Sequence, residues 1–310
     1  MTTPLVTVAI CTRDRARLLD RTLTSLTALR WPDDTPWALV VVDNGSTDDT
    51  AAVCASYAAR LPLRTVVESR PGLSNARNRA LDEAAGDYLV FTDDDVQVEP
   101  GWLEAFAGAA RRWPGAAAFG GPIAPDFPVP PDPDLVAAFP ALGTGFCGLD
   151  HDIAEGPLPS TQPIWGANMG YRRSAVAGLR FDPTLGRTPD SQRGGEEERF
   201  LREVRARGGD VIWCPDMRLA HYVDPSRMTV AYLAAFYAGQ GEQFVRVHGA
   251  PPPVTPTLLG APRWFVRFTL EAYGRYLIAR LTSTRVDALR KLRVYSELRG
   301  MLRACREDGA

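Results

Sequence analysis

The sequence predicts an α/β protein: a mostly parallel central sheet flanked by helices, followed by a helical extension at the C-terminus. Three observations lead there. Over the first 120 residues, short apolar runs rich in Val and Ile alternate with segments whose apolar residues recur at helical spacing, the pattern of a parallel sheet wound by crossover helices. Two of those runs end in acids, Asp43 and Asp93-Asp94-Asp95, at the sheet edge where α/β proteins collect ligands. Beyond Ala250-Pro251-Pro252-Pro253, which reads as a boundary, only helical patterns remain.

Taken in order, Val6-Thr7-Val8-Ala9-Ile10-Cys11 reads as a buried strand, and Leu19, Leu23 and Leu26 mark one face of the helix after it. Leu39-Val40-Val41-Val42 is a second strand that stops abruptly at Asp43-Asn44-Gly45-Ser46. Thr47 is placed to cap the next helix, with Asp48 and Asp49 in its first turn, where the dipole favours negative charge. A strand at Thr65-Val66-Val67, a helix over 75–85, a strand over 87–92, a helix over 102–112 and a strand over 116–119 complete the alternating half. From 121 to 163 periodicity dissolves into Pro and Gly, and this long segment reads as either a mobile binding loop or a poorly ordered excursion. Regular signals return over 165–171, then as a helix over 195–207, a strand over 210–214 and a helix over 229–247. Two further helices are expected over 263–281 and 285–305.

With 310 residues, 45% apolar and 23% charged, the chain can bury a sizeable core. A formal net charge of -2 gives no footprint for nucleic acid. The five cysteines, Cys11, Cys54, Cys147, Cys214 and Cys305, are odd in number and lack CxxC spacing. Neither a zinc site nor a disulfide framework is expected, and a reducing cytoplasm is the expected setting. No apolar run approaches the ~20 residues of a membrane span, and no signal peptide precedes the first apolar segment.

The chemistry is sought at the strand ends. An apolar strand delivering Asp93, Asp94 and Asp95 suits a hard divalent cation beside a phosphate; the bland alternative is an acidic turn that solvates a strand end. Asp43 can accept from a nucleobase N–H or a ribose hydroxyl, or simply close an Asn-Gly turn. Gly72-Leu73-Ser74-Asn75-Ala76-Arg77-Asn78-Arg79-Ala80 runs from a glycine turn into a helix, offering backbone N–H groups and Arg77 or Arg79 to phosphate or to the carboxylates. Gly194-Gly195-Glu196-Glu197-Glu198 opens a helix, where the acids serve either the dipole or as a general base. His221, after a strand-like segment and a short turn, is either a satisfied structural residue or a nitrogen ligand completing a Mn²⁺ site.

Taken together, Val6 to Arg15, Val41 to Asp48, Gly72 to Ala80 and Phe91 to Asp95 resemble, in order and spacing, the successive motifs of family 2 glycosyltransferases. The resemblance covers about residues 5–230. It implies the Rossmann-like GT-A fold and inverting transfer from a nucleotide diphosphate sugar, with a uridine nucleotide favoured, to an acceptor that is a glycan, a lipid-linked sugar, a peptide or a small molecule. By that resemblance residues 1–120 form the nucleotide-sugar-binding half and 121–249 the acceptor and catalytic half; it fades in 250–310, the helical extension read from the proline boundary. It places Thr12, Arg13 and Asp43 around the nucleoside and Arg77 beside the diphosphate. Asp93 and Asp95 become the acids of a DxD motif, with Asp94 between them, and Asp95 nearest a Mn²⁺ or Mg²⁺ ion. Gly166-Ala167-Asn168 would lie under the donor sugar, with Trp165 available to stack on it. His221 matches a metal-binding histidine of some members. The family's usual Glu-Asp pair is Glu196-Glu197 here, which leaves the base open between the two.

Two rival functions compete: a sugar nucleotidyltransferase, which the glycine-free Cys11-Thr12-Arg13-Asp14-Arg15 argues against, and a non-catalytic sugar-nucleotide-binding subunit. From Arg263 onward 11 basic residues face 5 acidic ones. That segment reads either as a helix packed on the core or in a dimer, or as an amphipathic contact of residues 263–281 with an anionic membrane face.

Overall fold

The computed structural model describes residues 6–31, 36–186, 194–249, 257–258 and 260–307; the expected boundary at 250–253 lies outside them. The described chain forms two compact units. The first takes the segments up to Pro125, from Leu149, and from Glu196 to Tyr222; the second takes Asp126–Gly148 and the chain from Val223.

The first unit is the expected α/β sheet. Strands β1 (Val6–Thr12), β2 (Trp37–Asp43), β3 (Leu63–Val67) and β4 (Tyr88–Asp93) run parallel, with β1 between β2 and β4 in register Thr12↔Asp43 and Cys11↔Asp93. That register puts the acidic ends of β2 and β4 on either side of the end of β1. Helices α1 (Ala16–Leu26), α2 (Thr50–Tyr57), α3 (Leu73–Glu83) and α4 (Trp102–Arg112) make the crossovers. α1 buries Leu19, Leu23 and Leu26, as its spacing predicts. Thr47 does not cap α2: its hydroxyl goes to Asp14, and Asp48 accepts the Thr50 N–H just before the helix starts.

The sheet is extended by β6 (Ala118–Gly120) and β10 (Val211–Trp213), which fall within or beside the strands expected over 116–119 and 210–214, and by β9 (Asn168–Arg172) and β8 (Gly156–Pro157), whose pairing single-chain periodicity does not announce. Strand β9 is antiparallel to both β4 and β6, and β10 is parallel to β6, giving the order β3-β2-β1-β4-β9-β6-β10-β8, with β8 at the edge. A second sheet has the order β5-β11-β7, from β5 (Val96–Val98), β11 (Leu219–Tyr222) and β7 (Ile123–Asp126). His221 therefore lies within a strand, opposite Val96, rather than after a turn. Apolar cores fill both faces of the large sheet, Trp102 and Phe106 on one and Phe91, Phe181 and Phe200 on the other.

Of the segment 121–163, expected as a mobile binding loop or a poorly ordered excursion, residues 126–148 are ordered in the second unit. Helices α5 (Pro133–Ala137) and α6 (Phe139–Leu142) and a 3-10 turn (Gly143–Phe146) bury Leu135, Leu142 and Phe146 with Leu233, Tyr237 and Leu289. Pro133 and Pro140 sit in the first turns of these helices, where a missing N–H costs nothing. α7 (Glu196–Ala206) belongs to the first unit; α8 (Val230–His248), α9 (Arg263–Thr282) and α10 (Arg285–Glu307) close the second. α8 and α10 approach through glycine: a Cβ on Gly241 would lie 1.9 Å from the Glu297 carbonyl oxygen, and one on Gly300 1.8 Å from that of Ala238.

Candidate active site

The site is built where β1, β4, α3, α7 and β11 of the first unit converge. Asn44 sets the start of α3: its side chain donates to the Glu68 and Arg70 carbonyls and accepts the Gly72 N–H at 2.8 Å. Gly72 has φ +121°, a left-handed conformation that favours glycine, and the helix begins at the next residue. Ser74 and Asn78 then tie α3 to the Leu185 carbonyl and the Phe181 backbone. This fixes the face of α3 that carries Arg77. Arg79 points elsewhere and pairs with Glu83.

Arg77 is 2% exposed and spends its guanidinium on carboxylates. Nη1 lies 2.7 Å from Glu196 Oε1, Nη2 lies 2.6 Å from Glu197 Oε1, and Nη2 is 3.8 Å from Asp93 Oδ1. Burial pulls its pKa down, but Glu197, Glu196 and Asp93 more than offset this and the net direction is up. Glu197 also accepts the Gly166 N–H on Oε2 at 2.8 Å. Its side chain remains 26% exposed, whereas that of Glu196 is 5%.

Asp93 leads on to the cation-binding candidates. His221 Nε2 lies 3.7 Å from Asp93 Oδ2 and 3.2 Å from Asp95 Oδ1, and its Nδ1 is 2.9 Å from the Tyr222 carbonyl. That carbonyl contact fits an Nδ1–H tautomer, which gives Nε2, on the side of the acids, the lone pair that a metal ion needs. One ligand atom from each of Asp93, Asp95 and His221 lies within 4.8 Å of the others. Asp95 Oδ1 is buried and takes no hydrogen bond. A buried carboxylate oxygen left in that state is costly unless a cation answers it, so the group fits a divalent ion.

Arg15 is the site residue to which the sequence assigns no role. It bonds Asp95 Oδ2 and lies 2.8 Å from Asp94 Oδ1. Thr12 donates its hydroxyl to Asp94 Oδ2 at 2.7 Å. Burial pushes the Asp94 carboxyl up to about 7 against the pull of Arg15, with Asp95 adding to the push. Asp94 is thus a wall acid held by Thr12 and Arg15. Two arginines in Cys11-Thr12-Arg13-Asp14-Arg15 give no local signal of which one turns inward: Arg13 Nη1 donates to the Asn44 carbonyl, and its Nε is 3.6 Å from Asp14.

The other expected residues are placed as follows. Asp43 Oδ1 accepts the Ser46 N–H, closing the turn after β2. Trp165 is half-buried against the sheet core. Asn168 is fully buried, accepts the Trp102 indole N–H and donates to the Pro122 and Met217 carbonyls. Its amide holds the end of β9, in the segment that the resemblance would place under the donor sugar.

The profile of Glycosyl transferase family 2 matches residues 7–178. The succinoglycan biosynthesis protein ExoM of Rhizobium meliloti is 29% identical over 251 residues, covering 76% of this chain and 73% of that protein. The validoxylamine A glucosyltransferase of Streptomyces hygroscopicus subsp. jinggangensis is 38% identical over 112 residues, 34% of this chain and 25% of that enzyme. Among solved structures, the mannosyltransferase PcManGT from Pyrobaculum calidifontis, in complex with GDP-Man and Mn²⁺, superposes with a TM-score of 0.58 at 19% identity, covering 99% of this chain and 87% of that one. TarS of S. aureus in complex with UDP-GlcNAc gives 0.56 at 15% identity over 98% of this chain and 90% of that one. These likenesses establish the GT-A fold.

Proposed function

Because the chain belongs to Glycosyl transferase family 2 and is a glycosyltransferase, we propose that it works with inversion, moving a sugar from a nucleotide diphosphate sugar to an acceptor hydroxyl with Glu197 as general base. One observation carries this reading: Arg77 links Glu197 to Asp93, so the proposed base and the proposed diphosphate end of the site are held by a single guanidinium. The acceptor oxygen attacks the anomeric carbon as its proton passes to Glu197, and the bond to the diphosphate oxygen breaks with its electron pair. A single displacement of this kind inverts the centre and needs no protein nucleophile. Of the two glutamates, only the side chain of Glu197 has appreciable exposure to a substrate; Glu196 anchors Arg77 from the buried side.

Arg77 acts by position, since its guanidinium is already engaged by acids, and Gly166 N–H fixes the second oxygen of Glu197. Asp93, Asp95 and His221 would hold the divalent ion, which when bound neutralises the diphosphate leaving group; an imidazole beside two carboxylates suits Mn²⁺ better than Mg²⁺. Asp43, Thr12 and Arg13, at the ends of β1 and β2, are proposed to border the nucleoside, and Trp165 the donor sugar. A uridine diphosphate sugar is the favoured donor, TarS having been solved with UDP-GlcNAc. ExoM, which covers most of both chains, favours a sugar acceptor in a growing glycan.

The test is calorimetry of UDP, GDP and dTDP, with and without Mn²⁺, on the wild type and Asp95→Ala. The proposal expects one nucleotide to bind tightly only when both Mn²⁺ and Asp95 are present. Equal binding without metal, or in Asp95→Ala, would remove the cation from the site.

A further inference from the structure

Helix α9 has an outer face that its own packing does not use. Phe265, Val266, Thr269, Ala272 and Ala279 are buried on one side. Opposite them Leu270, Leu277, Ile278 and Leu281 recur at i, i+7, i+8 and i+11, a single stripe on a 3.6-residue helix. Ile278 is 62% exposed and Leu281 87%. Isolated apolar residues on a surface are ordinary, but an aligned row of aliphatic side chains in water marks a contact surface.

The charges beside the stripe identify what it contacts. Arg263, Arg267, Arg275 and Arg280 are the basic residues of α9, and Glu271 is its one acid, within 3.4 Å of Arg267 and 3.9 Å of Arg275. A second copy of this face would set arginines against arginines. An anionic lipid surface offers phosphates to the arginines and an acyl boundary to the leucines and isoleucine. Among the described residues no helix is long and apolar enough to cross a membrane, so the geometry is that of a helix lying in the surface.

We propose that α9 docks the protein on an anionic lipid bilayer, with Leu270, Leu277, Ile278 and Leu281 at the acyl boundary and the arginines among the headgroups. This inference is independent of the transfer reading; loss of docking leaves the site around Arg77 untouched.

The experiment is flotation of the full chain with vesicles of phosphatidylcholine alone and of phosphatidylcholine with phosphatidylglycerol. Wild type is expected to float with the anionic vesicles and to be released by salt. Ile278→Ser with Leu281→Ser should lower partitioning by about tenfold or more, and Arg267→Gln with Arg275→Gln should remove the preference for anionic lipid. Far-UV circular dichroism and UDP binding should match wild type in both variants. Failure of wild type to float, or equal flotation of the Ile278 and Leu281 variant, overturns the proposal. So does a dimer in sedimentation that this variant abolishes while wild type ignores vesicles, which would give the face to a second copy.

Discussion

Arg77 Nη2 and Glu197 Oε1 lie 2.6 Å apart across the junction of α3 and α7, 120 residues apart in sequence. Neither helix has this contact by itself; the sheet brings the two together, and the pair orients the carboxylate proposed here as the base.

Glu197→Gln keeps the size of the side chain and loses the base. Its kcat is expected to fall by ~10²-fold or more with donor binding retained. Glu196→Gln, at a buried position, should cost about 1–3 kcal/mol of stability with a smaller effect on kcat. Steady-state kinetics beside urea denaturation separate the two; the reverse pattern would move the base to Glu196.

Gly166→Ala tests how closely the loop before β9 approaches that pair. The added Cβ would lie 2.0 Å from Arg77 Nη2 and 2.2 Å from Glu197 Oε1. One side must move, at a cost of about 1–3 kcal/mol. Activity is expected to drop with the Mn²⁺ response unchanged; a variant with wild-type kcat would show that Glu197 needs no fixed position.

Arg15→Ala removes the guanidinium that Asp94 and Asp95 share. With a third of the Arg15 side chain exposed, the loss of stability should stay near 1–3 kcal/mol, below that of a fully buried pair. Because Arg15 occupies Asp95 Oδ2, added Mn²⁺ should raise Tm more in the variant than in wild type. Equal shifts would mean that Arg15 and the ion do not share Asp95.

Glu155 gives a pH prediction away from the site. Hydrogen bonds from Arg112, with help from Trp113, hold its pKa below the ordinary glutamate value against burial. A depressed folded pKa means stability that is present above the unfolded value and lost as pH falls through the folded one. Glu155→Gln should therefore cost at most about 1 kcal/mol near neutrality, discounted for the exposure of Arg112, with the difference closing in acid. A gap that persists at low pH would assign the effect to packing.

The sequence makes the alternating half legible because β1, β2 and β4 are predominantly apolar runs, and α4 falls on the residues its spacing predicts. The acids at the ends of β2 and β4 follow from the same pattern, since register alone carries them to one edge. What stays hidden depends on long-range partners. β9 is five residues long and is defined by two antiparallel neighbours, while α5 and α6 are too short to show a period. Arg15 cannot be told from Arg13 without the aspartates that face it. The three bonds of the Asn168 amide, to Trp102, Pro122 and Met217, likewise depend on partners distant in sequence.

The burial of Arg77 has a consequence for the shape of any rate profile. A guanidinium surrounded by acids keeps its proton at every pH an enzyme survives, so it is a fixed charge and never a variable one. Inflections in a plot of kcat against pH must then belong to other groups of the protein or to the substrates. The pivot of the site sets the landscape in which those groups titrate and contributes no step of its own.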